Sequence, residues 1–573
     1  MSNQILALEK LKPILEQHQP ISRDKLLPVL WDAQHTFGYL SEPVVVAIGK
    51  ALKVPLADIF GVIEFYTMFY KKPVGETIVR VCISPICTQM GGEQLLDSVC
   101  DYYGVQPGGT TPDGKFTFES VECLGLCDHA PAALVGEVPI AVKVSSPPDS
   151  WVDSPQAAPL GTLEGDPRWL LGGCGQSEPT NIASFESCGG FMGIKKALKM
   201  TPASVVEQIT QSGLIGRGGA AFPTGLKWQY TAEAAGHPKY MVCNADESEP
   251  GTFKDRVLME GYPLSIVEGM TLAAYAIGAE KGYLYIRGEY FRPTAIMKEA
   301  ITNARRAGYL GRNILNSGFD FDIEIRSGAG AYVCGEETAL FESIEGKRGF
   351  PRLKPPYPVT RGLFGKPTDI NNIETLAAAS WIMANGSDAF RMLGTEKSTG
   401  TKLFCLSGDV QNPGVYEMPL GTLLRDVIEI AGGVKGELRG VLIGGAAGTF
   451  AGPDDLDISM SFEGLADDKY FLGSGVINVI NSNRNLKEIL HSLAHFFAHE
   501  SCGKCLPCQL GTQRQLEIMD KVLQMKSNGS DLEALKEIGF TMEQTSICGV
   551  GQMASTAILS ALEKCPDVFE TSP

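Results

Sequence analysis

Residues 216–228 read GRGGAAFPTGLKW, and residues 243–256 read CNADESEPGTFKDR. Three of the first four residues are glycine, which lets the main chain approach a ligand closely. Bare amides in such a loop suit phosphate oxygens, particularly where a helix begins. Lys227 adds a positive charge, Phe222 and Trp228 add flat apolar surface, and the second stretch adds amide and carboxylate groups. Together they indicate a nucleotide site; a glycine-rich surface turn followed by an acidic loop is the alternative.

Length, charge and cysteine content limit the class of protein. With 573 residues the chain is too long for one hydrophobic core, and several domains are expected. A net charge of −17 argues against a nucleic-acid-binding face, and no apolar run reaches the roughly 18–20 residues of a membrane span. The N-terminal residues lack a secretory signal. We therefore expect a cytoplasmic protein whose 15 cysteines include metal ligands rather than disulfides.

The first predicted unit spans residues 1–145 and carries two cysteine pairs. A helical pattern gives way near residue 75 to a strand–helix–strand pattern. Four residues separate Cys82 from Cys87, three separate Cys123 from Cys127, and each pair follows a predicted strand. Structural zinc usually prefers two-residue spacings, whereas four thiolates also suit a [2Fe–2S] cluster. The spacing favours the cluster, with zinc as the alternative.

A linker rich in Pro, Ser, Gly and Asp is predicted at residues 146–167. Strands and helices then alternate over residues 168–398, which is typical of a layered α/β domain. Within it the stretch GAGAYVCGEETAL (residues 328–340) brings further glycines and places Glu336 and Glu337 at a helix start. These carboxylates either bind a ligand or simply interact favourably with the helix dipole.

The remaining chain is predicted as two smaller units. Residues 399–480 show short strands, turns and one helix, and residues 481–573 are helical. In the helical unit three cysteines form the pattern C-x2-C-x2-C, and a fourth follows after two helical stretches; they are Cys502, Cys505, Cys508 and Cys548. This arrangement is typical of a [4Fe–4S] cluster, and a zinc site is the alternative.

Other histidines and cysteines carry weaker signals. His491, His495 and His499 recur every four residues and so share one helix face. A metal site is one interpretation of that stripe, but hydrogen-bonded or partly solvated side chains are the favoured one. Cys100 and Cys405 are predicted to be core thiols, and Cys174 and Cys188, which have no partners at ligand spacing, to be free thiols; Cys565 is unassigned.

Ordered motifs reveal a family resemblance over nearly the whole chain. FGYL, FYTMFY, the two cysteine pairs and DHAPA resemble the thioredoxin-like [2Fe–2S] subunit of respiratory complex I, which implies that Cys82, Cys87, Cys123 and Cys127 ligate that cluster. GRGGAAFPTGLKW, NADESEPGTFKDR, GAGAYVCGEETAL, KPPYP and NNIET resemble the flavin-bearing, NADH-oxidising subunit. The same module occurs in NAD-linked formate dehydrogenases and soluble NAD-reducing hydrogenases.

The resemblance implies a multidomain α/β fold. Its parts would be a helical segment plus thioredoxin-like [2Fe–2S] domain (1–145), an α/β FMN- and NADH-binding domain (168–398), a small β-grasp, ubiquitin-like domain (399–480) and a C-terminal helical bundle with a [4Fe–4S] cluster (481–573). We see no chemistry in the β-grasp domain from its sequence.

Cofactor-binding residues follow from the resemblance position by position. Those implied for FMN are Gly216, Arg217, Gly218, Lys227, Asn244, Asp246, Glu247, Gly335, Glu336, Asn371 and Asn372. Those implied for NADH are Phe222, Tyr230, Glu249, Tyr332, Glu337, Lys354 and Tyr357. Glu249 and Glu337 would orient NADH, and no general acid or base is assigned. The chain departs from the family at Ala221, usually glycine, at Tyr357, usually phenylalanine, and at Gln509, often arginine.

The implied activity is that of an NADH:acceptor oxidoreductase, or diaphorase, subunit. Electrons would pass between NAD(H), FMN and the C-terminal cluster, and then to a large iron–sulfur partner that handles formate, at molybdenum or tungsten, or hydrogen. Fusion of the two units favours formate dehydrogenase or soluble hydrogenase over a fused complex I subunit. Formate dehydrogenase leads narrowly, because some hydrogenase relatives have lost the N-terminal ligands retained here. A non-catalytic electron-transfer or assembly subunit is the alternative of a different class.

Overall fold

The computed structural model describes residues 2–569 apart from residue 468. The chain begins with four helices that bury the aromatic-rich run around Tyr66, Met68 and Phe69 against the rest of the molecule. Their bounds are α1 Ser2–Gln17, α2 Leu26–Phe37, α3 Glu42–Leu52 and α4 Leu56–Phe65. No helix within the described residues is both long and apolar enough to cross a membrane.

A small mixed sheet completes the first unit. Its strand order is β2-β1-β3-β4, with β1 parallel to β2 and antiparallel to β3. The elements are β1 Thr77–Cys82, α5 Pro85–Gln89, α6 Gly92–Tyr103, β2 Phe116–Val121, β3 Ala132–Val135 and β4 Val138–Ala141. Since β1 and β2 run parallel, their carboxyl ends meet at one edge of the sheet, and the two cysteine pairs follow there.

The segment predicted as a linker contains regular structure. A short helix, α7 (Pro148–Val152), is followed by strand β5 (Thr162–Gly165). Strand β5 pairs in parallel with a strand of the β-grasp unit more than 200 residues later, at Gly414–Glu417. Its composition indicates a linker, but a neighbouring sheet edge captures its backbone hydrogen-bonding groups.

The α/β unit is built on a four-stranded, all-parallel sheet in the order β8-β7-β6-β9. Helix α13 is almost wholly buried and apolar, as expected of a helix that packs within a large core. The elements are α8 Ile182–Ser187, α9 Met192–Ala197, α10 Pro202–Ser212, α11 Thr224–Glu233, β6 Tyr240–Ala245, α12 Lys254–Gly261, α13 Pro263–Ile277, β7 Lys281–Ile286, α14 Phe291–Arg306, β8 Asp322–Ser327, α15 Glu337–Ile344, α16 Pro358–Arg361, β9 Thr368–Asn372, α17 Ile373–Asn385 and α18 Ser387–Arg391.

The β-grasp unit forms a six-stranded sheet, in the order β13-β12-β14-β10-β11-β5. Its elements are β10 Thr401–Gly408, β11 Gly414–Pro419, α19 Leu424–Ile430, β12 Leu438–Ile443, β13 Thr449–Ala451, α20 Phe462–Asp467 and β14 Val476–Asn481. The C-terminal unit is helical: α21 Leu486–Glu500, α22 Leu506–Leu523, α23 Gly529–Thr545, α24 Gly549–Gln552 and α25 Thr556–Lys564. The predicted multidomain α/β fold class is confirmed.

Candidate functional site

A central cavity of about 650 Å³ lies where the α/β, β-grasp and C-terminal units meet. It opens beyond the carboxyl ends of β6 and β9, through Asp246 and Asn372. Ligands of open parallel sheets bind at that edge. The β-grasp unit contributes a wall that includes Ala447 and Gly473, and the C-terminal unit contributes Val550, two residues after Cys548.

The glycine loop forms one side of the central cavity through residues 218–221. Gly219 has a φ of +118° and Ala221 a φ of +53°, which is the left-handed region that favours glycine. This explains why glycine suits position 221 in the family, and alanine there carries a modest strain. A Cβ atom on Gly218 would lie 3.1 Å from the Cβ of Asn372, so the loop and β9 approach each other closely.

Seven of the eleven residues predicted to bind FMN line the central cavity. They are Gly218, Asn244, Asp246, Glu247, Gly335, Glu336 and Asn372. The structure brings these together from separate sequence motifs. Glu336 also accepts hydrogen bonds from Thr338 N and Ala339 N, both at 2.9 Å, so it caps α15 as the dipole interpretation expected.

The other four predicted FMN residues, Gly216 among them, are not among the lining residues. The guanidinium of Arg217 is buried and donates to Thr399 O at 2.6 Å, behind the loop. Lys227 donates to Ile370 O at 2.8 Å, and Asn371 donates to Asp369. These side chains brace the loop and β9 from outside the cavity.

A buried charge network under the cavity has no signal in the sequence pattern. The Nζ atom of Lys254 contacts Asp255 Oδ1 at 2.7 Å, Glu374 Oε2 at 3.1 Å and Asn372 Oδ1 at 3.2 Å. Lys402 contacts the same Glu374 oxygen at 2.6 Å. Lys254 lines the cavity, so it adds a fixed positive charge to the wall. Only its position in the FKDR motif could have suggested this, because most of its partners come from distant segments.

Three carboxyl groups follow β6 in succession around the cavity. Burial raises the pKa of Asp246 to about 8 and the pKa of Glu247 and Glu249 to about 7. All three residues belong to the cavity lining; Glu247 is buried, and Asp246 and Glu249 are partly buried. A carboxyl group that keeps its proton near neutral pH can donate as well as accept a hydrogen bond.

The β-grasp unit holds one of these carboxylates. Ala447 N donates to Glu249 Oε1 at 2.9 Å, and a Cβ atom on Gly445 would lie 2.8 Å from the same oxygen. The sequence showed no chemistry in this unit. The structure shows that its loop fixes a side chain predicted to contact NADH.

The residues predicted to bind NADH fall into three groups. Glu249 and Tyr332 line the cavity. Three aromatic residues are exposed, at 42%, 45% and 57%; they are Phe222, Tyr230 and Tyr357. The third group is Lys354 and Glu337, whose Nζ and Oε1 atoms lie 2.5 Å apart. Lys354 Nζ also lies 2.9 Å from Glu336 Oε1, so Glu336 connects this pair to the edge of the cavity.

The four N-terminal cysteines are gathered into one buried site. Cys123 and Cys127 have their Sγ atoms 3.7 Å apart, and all four thiols are buried. Gly125 N donates to Cys123 Sγ at 3.3 Å. The contact with the Cys127 thiol, aided by the charge of Arg287, lowers the pKa of Cys123 to about 7 against the effect of burial.

Arginines of the α/β unit clamp the loop that carries these thiols. Arg256 Nε donates to Gly125 O at 2.9 Å, and its Nη2 contacts both oxygens of Asp128 at 2.9 Å. The same helix start is capped by Glu247, which accepts from Asp255 N at 2.8 Å and Arg256 N at 2.9 Å. One helix terminus therefore touches both the central cavity and the N-terminal thiol loop.

The C-terminal cysteines lie at two helix starts. Cys505 directly precedes α22 and Cys548 directly precedes α24. Cys508 is buried, and its Sγ lies 3.2 Å from Ser501 Oγ, whereas the other three are partly exposed. Burial raises the pKa of Cys508 to about 11 and that of Cys548 to about 12.

Two of the three histidines of the stripe are in ion-pair geometry. His491 Nε2 lies 2.8 Å from Asp520 Oδ1, and His495 Nδ1 lies 3.1 Å from Glu122 Oε1. His495 therefore joins the C-terminal unit to the residue before Cys123. Within the described residues no three His, Cys, Asp or Glu side chains meet the geometry for a single metal ion.

The donor sets suit the groups that the motifs predict. The buried Oδ2 of Asp246 has no hydrogen-bond partner among the described residues, so it can accept from a hydroxyl or ring N–H of a flavin. The N-terminal set and the C-terminal set each offer four cysteine thiols, which are the usual ligands of iron–sulfur clusters.

Family models match four parts of the chain. The Nuo51 FMN-binding domain matches residues 209–381, and the thioredoxin-like [2Fe-2S] ferredoxin matches residues 11–145. The iron-sulfur binding region of NADH-ubiquinone oxidoreductase-F matches residues 488–572, and the SLBB domain matches residues 403–443.

Curated relatives and a solved structure are similar over long ranges. The NAD-reducing hydrogenase HoxS subunit alpha of Cupriavidus necator is 37% identical over 98% of this chain and 94% of its own length. A component of the NADH-quinone oxidoreductase of Aquifex aeolicus is 45% identical over 68% of this chain and 91% of its own length. A crystal structure of air-oxidized NAD+-reducing [NiFe]-hydrogenase has a matching chain with a TM-score of 0.83 and 35% identity, covering 95% of this chain and 93% of that one.

The chain belongs to this family of flavoprotein subunits, in which a thioredoxin-like [2Fe–2S] unit is fused to the complex I-type FMN and [4Fe–4S] units. It is an oxidoreductase of the NADH dehydrogenase, or diaphorase, type. The predicted cofactors FMN, [2Fe–2S] and [4Fe–4S], with NADH as substrate, are confirmed. The assignment of individual ligand residues stays a prediction.

Proposed function

We propose that this chain is the NAD(H)-converting subunit of an NAD-reducing hydrogenase-type complex. Similarity over nearly its whole length to the HoxS alpha subunit carries the proposal, because the fused N-terminal and flavin units match together. In such a complex, electrons from hydrogen oxidised on a nickel–iron partner reach NAD+ through this chain, which we place in the cytoplasm.

Formate dehydrogenase remains the second candidate. The observation in its favour is the complete set of four N-terminal thiols, gathered in one buried site. In that case the large partner would carry molybdenum or tungsten instead of nickel. Every role that we propose for this chain's own residues is the same in both cases.

We assign roles in NADH handling to four residues. The Glu249 carboxyl, held by Ala447 N, and the Glu337–Lys354 pair would orient NADH, while Tyr332 would form part of the apolar wall that excludes water. When bound, FMN supplies the exchange between two-electron transfer with nicotinamide and one-electron transfer with clusters. No side chain needs to act as a general acid or base.

Loss of the Glu249 carboxylate tests the NADH assignment. Glu249→Gln keeps the shape of the side chain, and we expect the KM for NADH to rise about tenfold with unchanged FMN content. The assay is NADH oxidation with ferricyanide, which needs no partner subunit. Glu233→Gln, on the exposed end of α11, is the matched control. An unchanged KM in Glu249→Gln would contradict the role.

Identification of the large partner tests the complex. The chain is purified with its associated subunits, and nickel, molybdenum and tungsten are measured together with NAD+ reduction by hydrogen and by formate. Nickel with hydrogen-driven reduction supports the first candidate, and molybdenum or tungsten with formate-driven reduction supports the second. Absence of FMN and of NADH–ferricyanide activity would overturn both.

A further inference from the structure

A cleft of about 470 Å³ lies beside the C-terminal cysteines, where three units meet. We call it the basic cleft; it is lined by the N-terminal helices near Arg23, by α15 and the loop after it, and by Lys504 and Ile547. Lys504 lies between Cys502 and Cys505, and Ile547 directly precedes Cys548. A molecule in the basic cleft would therefore lie against both loops that carry the C-terminal thiols.

Most charges in the basic cleft are already neutralised. Arg23 pairs with Asp58 at 2.8 Å. Lys347 and Arg352 both pair with Glu342, at 3.1 Å and 2.6 Å. The two acidic residues of the lining are thus fully engaged, and they leave no carboxylate for other cations.

Two cations in the cleft remain without an acidic partner among the residues that the structure describes. The Arg348 guanidinium lies 4.7 Å from the ring centroid of Phe350, and Lys504 Nζ lies 5.4 Å from the same centroid. Both side chains are exposed. Two like charges on one aromatic ring attract an anion more strongly than either alone. This feature stands out in a chain whose net charge is −17.

The surroundings of the cleft are those of an interface. Leu353, in the lining, is 72% exposed, and Leu506, directly after Cys505, is 67% exposed. Exposed apolar side chains beside charged groups are typical of protein contacts. Electron transfer weakens steeply with distance, so a partner that exchanges electrons with this cluster must dock close to its partly exposed ligands.

We infer that the basic cleft is the docking site for an acidic segment of the electron-exchanging partner subunit, with Arg348 and Lys504 receiving its carboxylates and Leu353 and Leu506 its apolar side chains. The inference rests on the proposed function, since it requires a partner that exchanges electrons with the C-terminal cluster. Complementary charge there would speed association and set the orientation of docking, and so would make the contact sensitive to salt.

Carbodiimide cross-linking of the intact complex tests the contact directly. The reagent joins an amine to a carboxylate in direct contact, so we expect an amide between Lys504 and an Asp or Glu of the partner, identified by mass spectrometry. The link should weaken as salt is raised before the reagent is added. Cross-links from Lys504 to its own chain only, while other lysines reach the partner, would overturn the inference.

Charge reversal tests the energetic role. In Arg348→Glu we expect the partner to dissociate at least about tenfold more readily, and partner-linked NAD+ reduction to fall accordingly. NADH–ferricyanide activity should stay unchanged, because Arg348 lies outside the central cavity. Lys435→Glu, an exposed reversal in the β-grasp unit, is the matched control. Should Arg348→Glu fail to fold, Arg348→Gln removes the charge alone, and a smaller loss of the same kind is expected.

Two outcomes separate this inference from the proposed function. Wild-type protein without NADH–ferricyanide activity would overturn the proposed function. A normal wild type, together with Arg348 variants that bind the partner as tightly as wild type, would overturn the docking site alone.

Discussion

The two sulfur sites of this chain differ in how they are enclosed. The N-terminal thiols are all buried, and their loop is clamped by Arg256 and Arg287 of the α/β unit. The C-terminal thiols lie at the starts of α22 and α24, and three of the four are partly exposed. The first site is an internal part of the subunit, and the second lies at its boundary.

The difference has a physical cause in the tertiary contacts that hold each loop. The N-terminal loop is held by side chains from another unit, so removing it would leave buried charges without partners. The C-terminal loops are held by their own helices and face solvent beside the basic cleft. Partly exposed ligands allow a partner protein to approach the C-terminal site closely, whereas the N-terminal thiols are covered by this chain's own residues.

The largest expected effect comes from replacing one predicted cysteine ligand at each of the two sulfur sites. Cys505→Ser should remove about four iron atoms per chain and lower NADH-driven reduction of the partner at least about hundredfold. Cys87→Ser should remove about two iron atoms and leave that rate within about threefold. Iron analysis and electron paramagnetic resonance measure the loss of each cluster, and the rate of NADH-driven reduction of the partner, here the coupled rate, is measured for both variants. Equal losses of coupled rate in the two variants would contradict the distinction.

Two glycines, one in each thiol loop, test how tightly the backbone of each loop is packed. Gly125 has a φ of +66°, and an added Cβ would lie 2.0 Å from Tyr290 Oη; Gly503 has a φ of +73°, and its nearest neighbour would be Gln509 at 3.9 Å. Both alanine variants carry a cost of about 1–2 kcal/mol for the left-handed backbone, but only Gly125→Ala adds a clash. We expect Gly125→Ala to lower the free energy of unfolding by about 4 kcal/mol or more.

Thermal unfolding and the yield of the [2Fe–2S] signal measure this pair. The [4Fe–4S] signal should persist in both alanine variants. Similar stability of Gly125→Ala and Gly503→Ala would show that the N-terminal loop is not rigidly enclosed.

The buried contact of Arg256 with Asp128 can be compared with an exposed ion pair. Arg256→Met leaves the buried Asp128 carboxylate without the Nη2 group that contacts both of its oxygens, which should cost about 3 kcal/mol of stability. Arg514→Met breaks an exposed contact with Glu517 at 2.7 Å and should cost at most about 0.5 kcal/mol. Melting temperatures of the two variants give the comparison. A larger loss of stability in Arg514→Met than in Arg256→Met would contradict our assignment of the N-terminal site as the enclosed one.

The smallest expected effect concerns the contact between His495 and Glu122, which joins the C-terminal unit to the N-terminal thiol loop. The hydrogen bond with Glu122 raises the pKa of His495 above its ordinary value. The stabilisation by protonated His495 is complete below the ordinary pKa of about 6.5 and is lost as the pH rises through the raised value. The side chain is partly exposed, so the gain is below about 1 kcal/mol.

We therefore expect wild type to exceed His495→Gln in melting temperature at pH 6 by more than at pH 9. A difference that stays constant or grows with pH would contradict the assignment of this contact.

Sequence spacing was sufficient where ligands lie close together in the chain. The C-x2-C-x2-C pattern predicted the C-terminal cluster, and the glycine loop predicted a nucleotide site; the family matches confirm both cofactors. Spacing failed for Lys254, whose partners Glu374 and Asn372 lie more than 100 residues away. It also failed for β5, a linker by composition that joins a distant sheet.

The sequence by itself determined the fold class and the cofactors, because those depend on local spacing and residue type. Only the tertiary structure decided that Ala447 fixes Glu249, that Arg256 encloses the N-terminal thiols, and that Arg348 and Lys504 share one aromatic ring beside the C-terminal thiols. Each of these contacts joins segments far apart in the chain, so its energy depends on packing between units and leaves no periodic trace in the sequence.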